Sequence, residues 1–293
     1  MPNILYPPPR PQAVGEVLDS AFRIFSATLL KCLPYATLGV FAGQLPTIYD
    51  LGKGRPLGQA TLMEHVSDPL WWLLYFVAIL GTMLFTNAVI MRQHALVTGQ
   101  PAAAGAELAR SARRIPGLLL IGLLVGLAIV TCFIPALVIG VAVKGGGATA
   151  TALGAAGLVF TLLLIPASWL IVRWSCAATA FLVTERAPLE SLSYSWRLTA
   201  GSFWRLSLIY TIALVLIIVL YVLSTVIGGM LSLLLAGGDL AVITAATTVV
   251  VVLLGAVATP FYWALALAVL GDLSVRREGA DLAQRMSAPP ASQ

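Results

Sequence analysis

The sequence predicts an all-α integral membrane protein: six transmembrane helices arranged as three repeats of one unit. Three observations carry that expectation. Of the 293 residues, 59% are hydrophobic and only 10% are charged, whereas a soluble domain is roughly a quarter charged. That leaves too little polar surface to cover a water-facing globule, so the solvent is largely lipid. The apolar residues also fall into runs that reach the roughly 20 residues a bilayer core requires. Finally, a Leu-x-x-small-x-Arg pattern recurs at Leu18-Ala21-Arg23, Leu108-Ser111-Arg113 and Leu192-Ser195-Arg197, at intervals of 90 and 84 residues. Each copy precedes an apolar run. Each unit is therefore expected to hold one interfacial amphipathic helix and two spans. Every unit starts and ends on the same side, which permits a pseudo-threefold axis along the membrane normal.

Taken in order, residues 1–12 are Pro-rich and are expected to be extended, solvated and cytoplasmic. They show neither the apolar core nor the cleavage site of a signal peptide. The first repeat is 13–100. Its interfacial helix, 13–30, sets Val14, Val17, Leu18, Ala21, Phe25 and Leu29 against Glu16, Asp19, Ser20 and Arg23. The first span, 29–49, has Pro34 and Pro46 near its ends. A polar external loop, Asp50 to Asp68, follows. Trp71, Trp72 and Tyr75 then mark an aromatic belt at the head of the second span, 69–97.

The second repeat, 101–186, opens with an interfacial helix at 102–115 carrying Arg110, Arg113 and Arg114. Its spans are 117–143 and 150–183, joined by an external turn of Lys144 and the glycines after it. Gly122 and Gly126 have the spacing that lets helix backbones approach, and are a candidate contact face. The third repeat, 187–285, opens with a helix at 188–204, where Pro188 suits the first turn. Leu189, Leu192, Trp196 and Phe203 form its apolar side; Glu190, Ser193 and Arg197 form the other. Lying flat on the inner leaflet, this helix would hold Trp196 at headgroup depth. Its spans are 206–235 and 240–270, and residues 286–293 form a disordered tail. Pro166 and Pro260 each begin a Pro-x-x-Trp pattern, with Trp169 and Trp263, which reads as a packing kink before a gating hinge.

Charge sets the orientation. Of 17 Lys and Arg residues, 14 lie on the side shared by the termini and the amphipathic helices; Lys53, Arg55 and Lys144 lie opposite. Excess basic residues mark the cytoplasmic side, so both termini are expected inside. The basic residues are scattered singly at the ends of apolar runs, which argues against nucleic acid. Cys32, Cys132 and Cys176 are isolated in apolar sequence and suggest neither a disulfide framework nor a metal site.

Four stretches together resemble a known family: GEVLDSAFRIF, IPASWLIVRW, LVTERAPLESLSYSWRLTAGSFWRL and GDLSVRREGADL. They are similar to the bacterial membrane family that forms the membrane domain of some glycerophosphodiester phosphodiesterases, with YciC-like inner-membrane proteins as relatives. The resemblance covers Val14 to Leu282 and implies six helices in a bacterial inner membrane, but little about activity. One departure is Leu270-Gly271 before Asp272, where the family would have an aromatic pair. The phosphodiesterase itself is a separate domain, and nothing in this chain matches it.

Nothing in the sequence looks catalytic. There is no nucleophile elbow, phosphate loop or HExxH motif, so no enzyme activity and no cofactor are expected. Glu64-His65-x-x-Asp68 could in principle gather a metal, but reads as solvated loop surface. The spans show no buried carboxylate, which argues against an ion-coupled carrier. The candidate sites are four arginines, each for an anion or lipid headgroup: Arg23, Arg113 and Arg197 of the repeated motif, and Arg173. In a continuous fourth span, Arg173 would lie ten residues before the inner end, roughly 15 Å deep. It could snorkel there, or serve a phosphate or carboxylate facing the bundle. Two functions follow. One is a membrane module that organises phospholipids, or a membrane or cytoplasmic protein partner, at the inner leaflet. The alternative is a transporter or channel for a small anionic, phosphate-bearing solute. A continuous polar cavity would favour transport, and a dry core the module.

Overall fold

The computed structural model describes residues 5–55, 62–101, 103–145, 150–236 and 239–279. The tip of the external loop, the glycine turn at 146–149 and the tail at 286–293 lie outside them. Every regular element among the described residues is helical: α1 (Val14–Gly43), α2 (Leu45–Gly52), α3 (Leu62–Val66), α4 (Pro69–Val97), α5 (Ala104–Gly145), α6 (Ala150–Arg173), α7 (Ala177–Val183), α8 (Pro188–Leu198), α9 (Phe203–Ala236) and α10 (Leu240–Glu278). Six of the helical segments are long and apolar enough to cross a membrane. The chain divides into two compact units, one of Met1–Ile115 with Leu208–Gln293, the other of Pro116–Ser207.

The ends of the helices have local causes. The Glu16 carboxylate accepts the Ala13 N–H at 2.7 Å and so caps α1. Asp68 caps α4, accepting the N–H groups of Leu70 and Trp71, with Pro69 in the first turn. Asp239 likewise caps α10 through the Ala241 N–H. Two expected breaks are absent. The helices anticipated at 13–30 and 102–115 do not end there; α1 continues to Gly43 and α5 to Gly145. The sequence FSAT after Ile24 contains no helix breaker, and Pro116 is accommodated inside α5. The third copy does break. Gly201 takes a left-handed φ of 72°, which ends α8 before α9 begins at Phe203.

The core of the first unit is the contact of α1 with α10 and α4. With lipid outside, close packing, not water exclusion, holds such helices together, and small residues permit it. Gly39 lies against Phe85 and Thr86, where an added Cβ would stand 3.2 Å from each. A Cβ on Gly255 would stand 2.8 Å from Val40. Cys32, Tyr35, Ala36, Ala88, Val89 and Ala256 fill the space between. One polar residue crosses this core: the Gln93 amide donates to the Pro260 carbonyl at 2.8 Å and to Thr28 at 3.3 Å. The expected contact face at Gly122 and Gly126 is not one, since a Cβ at either would meet nothing within 4 Å. Gly39 and Gly43 have the same spacing, and they are the pair that meets α4, at Phe85, Thr86 and Thr82.

The proline-rich start is docked, not solvated. Leu5 N–H donates to the Val97 carbonyl at 3.1 Å, and the Tyr6 ring meets His94 edge-on at 5.4 Å. Gln12 N–H donates to Asp272 at 2.7 Å; Arg276 bonds both Asp272 and the Gln12 carbonyl. Prolines have no N–H to leave unsatisfied, so such a segment can lie on a helix end without a ladder. Gly271 makes the seat, because a Cβ there would stand 2.8 Å from the Tyr6 ring and 2.9 Å from Pro8.

Candidate functional site

The three motif copies share one burial pattern. The residue before the motif leucine is buried in each (Val17, Glu107, Ser191), as is the small residue after it (Ala21, Ser111, Ser195). These lie one helical turn apart and share a face. The arginines Arg23, Arg113 and Arg197 are exposed. The hydroxyls have partners: Ser111 donates to the Leu84 carbonyl at 2.6 Å and Ser195 to the Arg173 carbonyl at 2.9 Å. Arg23 pairs with Asp19 at 2.8 Å and helps line a polar cavity of about 340 Å³ with Arg10, Glu16 and Ser20. Arg23 and Arg113 belong to the first unit and Arg197 to the second.

In α8 the pattern inverts the usual logic of a surface helix. Its buried side is Ser191, Tyr194, Ser195 and Leu198, and it packs on α7. The side anticipated as apolar turns the other way: Leu189 is 63% exposed, with Leu192 and Trp196 half-buried and Arg197 exposed beside them. Trp204, at the head of α9, is 84% exposed. Ser191 and Ser195 thus face the protein with Tyr194 and Leu198, Leu189 and Arg197 face away from it, and Trp196 is half-buried against α6.

Arg173 is not placed as the sequence suggests. The helix does not run on to Val183; α6 ends at Arg173, and α7 begins at Ala177 after a turn. The cause is the pair of hydroxyls on α8 and its cap. Ser195 and Thr199 both donate to the Arg173 carbonyl, at 2.9 and 3.1 Å, replacing the N–H that a continuing helix would supply. Ser195 also accepts the Cys176 N–H at 3.2 Å, so one hydroxyl serves both sides of the break. Arg173 therefore sits in the last turn of α6, where the helix dipole favours a cation. Its guanidinium lies over the Trp196 ring at 4.2 Å and the Trp169 ring at 5.6 Å. Trp174 packs against Trp196, with centroids 5.6 Å apart. The Arg173 Nε is buried without a hydrogen-bond partner. A cation–π contact of this kind contributes about 0.5–2 kcal/mol.

Two carboxylates are buried at helix ends: Glu107 in the first turn of α5 and Asp272 near the end of α10. Glu107 is 7% exposed. It accepts from Arg92 Nη1 at 3.1 and 3.3 Å and from the Tyr35 hydroxyl at 3.2 Å. Asp272, in the clasp on the N-terminal segment, is also buried. Sequence inspection missed both groups. The signal for Glu107 was available: an acid occupies the protein-facing position held by Val17 and Ser191 in the other copies.

At the ends of the connection between α2 and α4, Asp50 accepts from Trp71 Nε1 at 3.1 Å and meets His65 Nε2 at 3.1 Å. The His65 ring stacks on Trp71 at 4.3 Å. Asp68 instead takes the Tyr49 hydroxyl at 2.9 Å. The sequence trio of Glu64, His65 and Asp68 is thus divided between different partners. Among the described residues, no three His, Cys, Asp or Glu side chains gather as a metal would need. Desolvation pushes the Asp68 carboxyl up, but bonds from Tyr49, Trp71 and Leu70, with Lys53 nearby, outweigh it and hold the group below its ordinary value. Comparison with family models, with curated proteins and with solved structures finds no match.

Proposed function

We propose that the protein is a non-enzymatic module of a bacterial inner membrane, with both termini cytoplasmic, that gathers anionic phospholipids or a protein partner at the inner leaflet. The proposal keeps the resemblance to the membrane domain of glycerophosphodiester phosphodiesterases. The observation that carries it is α8, which turns Ser191 and Ser195 to the protein and Leu189 and Arg197 outward. An apolar side with basic residues at its edge is what an interfacial helix presents to a leaflet. The shared burial pattern of the three motif copies supports the repeat, in which each copy exposes its own arginine, Arg23, Arg113 or Arg197. Near an anionic leaflet each such charge adds about 1 kcal/mol of attraction. Arg23 is the weakest of them, because the exposed Asp19 pairs with it.

Replacing all three arginines by glutamine should leave insertion intact and reduce co-purified phosphatidylglycerol or cardiolipin. Unchanged lipid occupancy in native mass spectrometry, with the variant folded, would leave these residues as a topology signal only. The orientation has its own test. Gly15 and Gly52 have open space around a Cβ, so Gly52→Cys should react with an impermeant thiol reagent from outside intact cells and Gly15→Cys should not.

The transporter reading draws on the buried Arg92–Glu107 pair. The direct approach of α1, α4 and α10 at Gly39 and Gly255 weighs against a solute path through that core. Uptake of a phosphate-bearing solute by proteoliposomes would reverse this preference.

A further inference from the structure

We infer that Arg173, with Trp169 and Trp196, is a binding site for a phosphate oxyanion, and that its ligand is the headgroup phosphate of a membrane phospholipid. The inference deepens the proposed lipid role: it rests on α6 spanning the membrane, but not on the three motif arginines. Four observations converge on it. The guanidinium is stacked at 4.2 Å on Trp196, with Trp169 at 5.6 Å, so its plane is fixed by aromatic faces. Among the described residues it has no carboxylate partner, whereas Arg10, Arg23, Arg92, Arg186 and Arg276 each have one. Its Nε is buried and unbonded, while the residue as a whole is only half-buried. The nearby backbone acceptor is already occupied, since Ser195 and Thr199 hold the Arg173 carbonyl.

A planar guanidinium held by indoles is preorganised for two parallel N–H···O bonds to a phosphate. A compact ammonium would lack both the stacking and the fork. Trp169, Trp174 and Trp196 also mark depth, because tryptophan collects where the acyl region meets the headgroups. That is the level at which lipid phosphates lie. Trp169, one turn before the arginine on the same face of α6, is exposed, so the site opens sideways to the bilayer. A phospholipid can therefore enter without any helix moving.

The test uses the full chain in nanodiscs, with phosphatidylglycerol retention read by native mass spectrometry. Diacylglycerol of the same chain length serves as the phosphate-free control. Arg173→Gln should lower tightly retained phosphatidylglycerol about tenfold, the scale of one charge-assisted hydrogen bond pair. Arg173→Lys should retain an intermediate amount, and Trp196→Leu should weaken retention with the charge still present. Replacing Arg23, Arg113 and Arg197 should leave this component in place, which separates its failure from failure of the three motif arginines. Retention that resists millimolar inorganic phosphate identifies the lipid headgroup. Displacement by inorganic phosphate would keep the oxyanion chemistry but overturn the lipid as its source. Equal retention of diacylglycerol and phosphatidylglycerol, or unchanged retention in Arg173→Gln, overturns the site. If Arg173→Gln does not fold, the lysine and leucine variants carry the same decision.

Discussion

Glu107 gives the sharpest energetic test of the fold. Its carboxylate accepts from Arg92 and Tyr35 while only 7% exposed, and the Arg92 side chain is 21% exposed. Glu107→Ala removes the acceptor of both donors, and the Arg92 Nε is already buried without a partner. Removing one member of a buried pair typically costs about 3–5 kcal/mol. The partial exposure of Arg92 allows some rehydration, so the low end, about 3 kcal/mol, is expected. Glu107→Gln keeps one acceptor oxygen and should lose about half as much. The informative variant is the double one, Arg92→Met with Glu107→Met, read in a Tyr35→Phe background so that no hydroxyl loses its acceptor; it removes both charges and should be nearly neutral. Reversible unfolding in mixed micelles of the Tyr35→Phe parent, both single variants and the double variant in that background yields the coupling energy. Strictly additive losses would mean that the pair contributes nothing, and would refute the argument.

Other expectations follow from steric and ionic contacts. A Cβ on Gly117 would stand 2.3 Å from the Phe181 ring, so Gly117→Ala should destabilise by about 1–3 kcal/mol, and Phe181→Leu should restore part of it. Gly271→Ala should displace Tyr6 and raise hydrogen exchange at the Leu5 and Gln12 amides while leaving α4 protected; unchanged exchange would discount the seat. Asp68, held below its ordinary value of 3.8, should stabilise the loop at neutral pH and lose that contribution only as acid protonates it in the folded state. Trp71 fluorescence should therefore be flat from pH 7 to about 5 and change below about 4, a step that Tyr49→Phe should move upward.

How much of this was legible from residues alone depended on range. Local signals sufficed for α4, where Asp68 and Pro69 announce the start; the motif spacing aligned Ala21, Ser111 and Ser195 but did not say that they are buried. They failed where the partner decides. Gly122 and Gly126 match the contact spacing as well as Gly39 and Gly43, but only the second pair meets a neighbouring helix. The break after Arg173 is invisible in its own sequence, because its cause lies in hydroxyls 22 and 26 residues later. The apolar side of α8 was legible; that its other side would pack on α7 through Ser191, Tyr194 and Ser195 was not, because α7 itself was read as the end of a continuous span. Glu107 was missed because Arg92 belongs to the preceding helix, and pairing across a turn leaves no periodic trace.

The clasp on the N-terminal segment has a consequence for how the chain is made. Gln12 and Asp272 are bonded across 260 residues. Synthesis proceeds from the N-terminus at about 5–20 residues per second, so Tyr6 and Gln12 emerge long before Gly271 and Asp272 exist. During that interval α1 and α4 can insert and meet, but half of the strap's seat is missing. Tyr6 and Gln12 are thus translated early and seated late, and their docking reports that α10 has arrived.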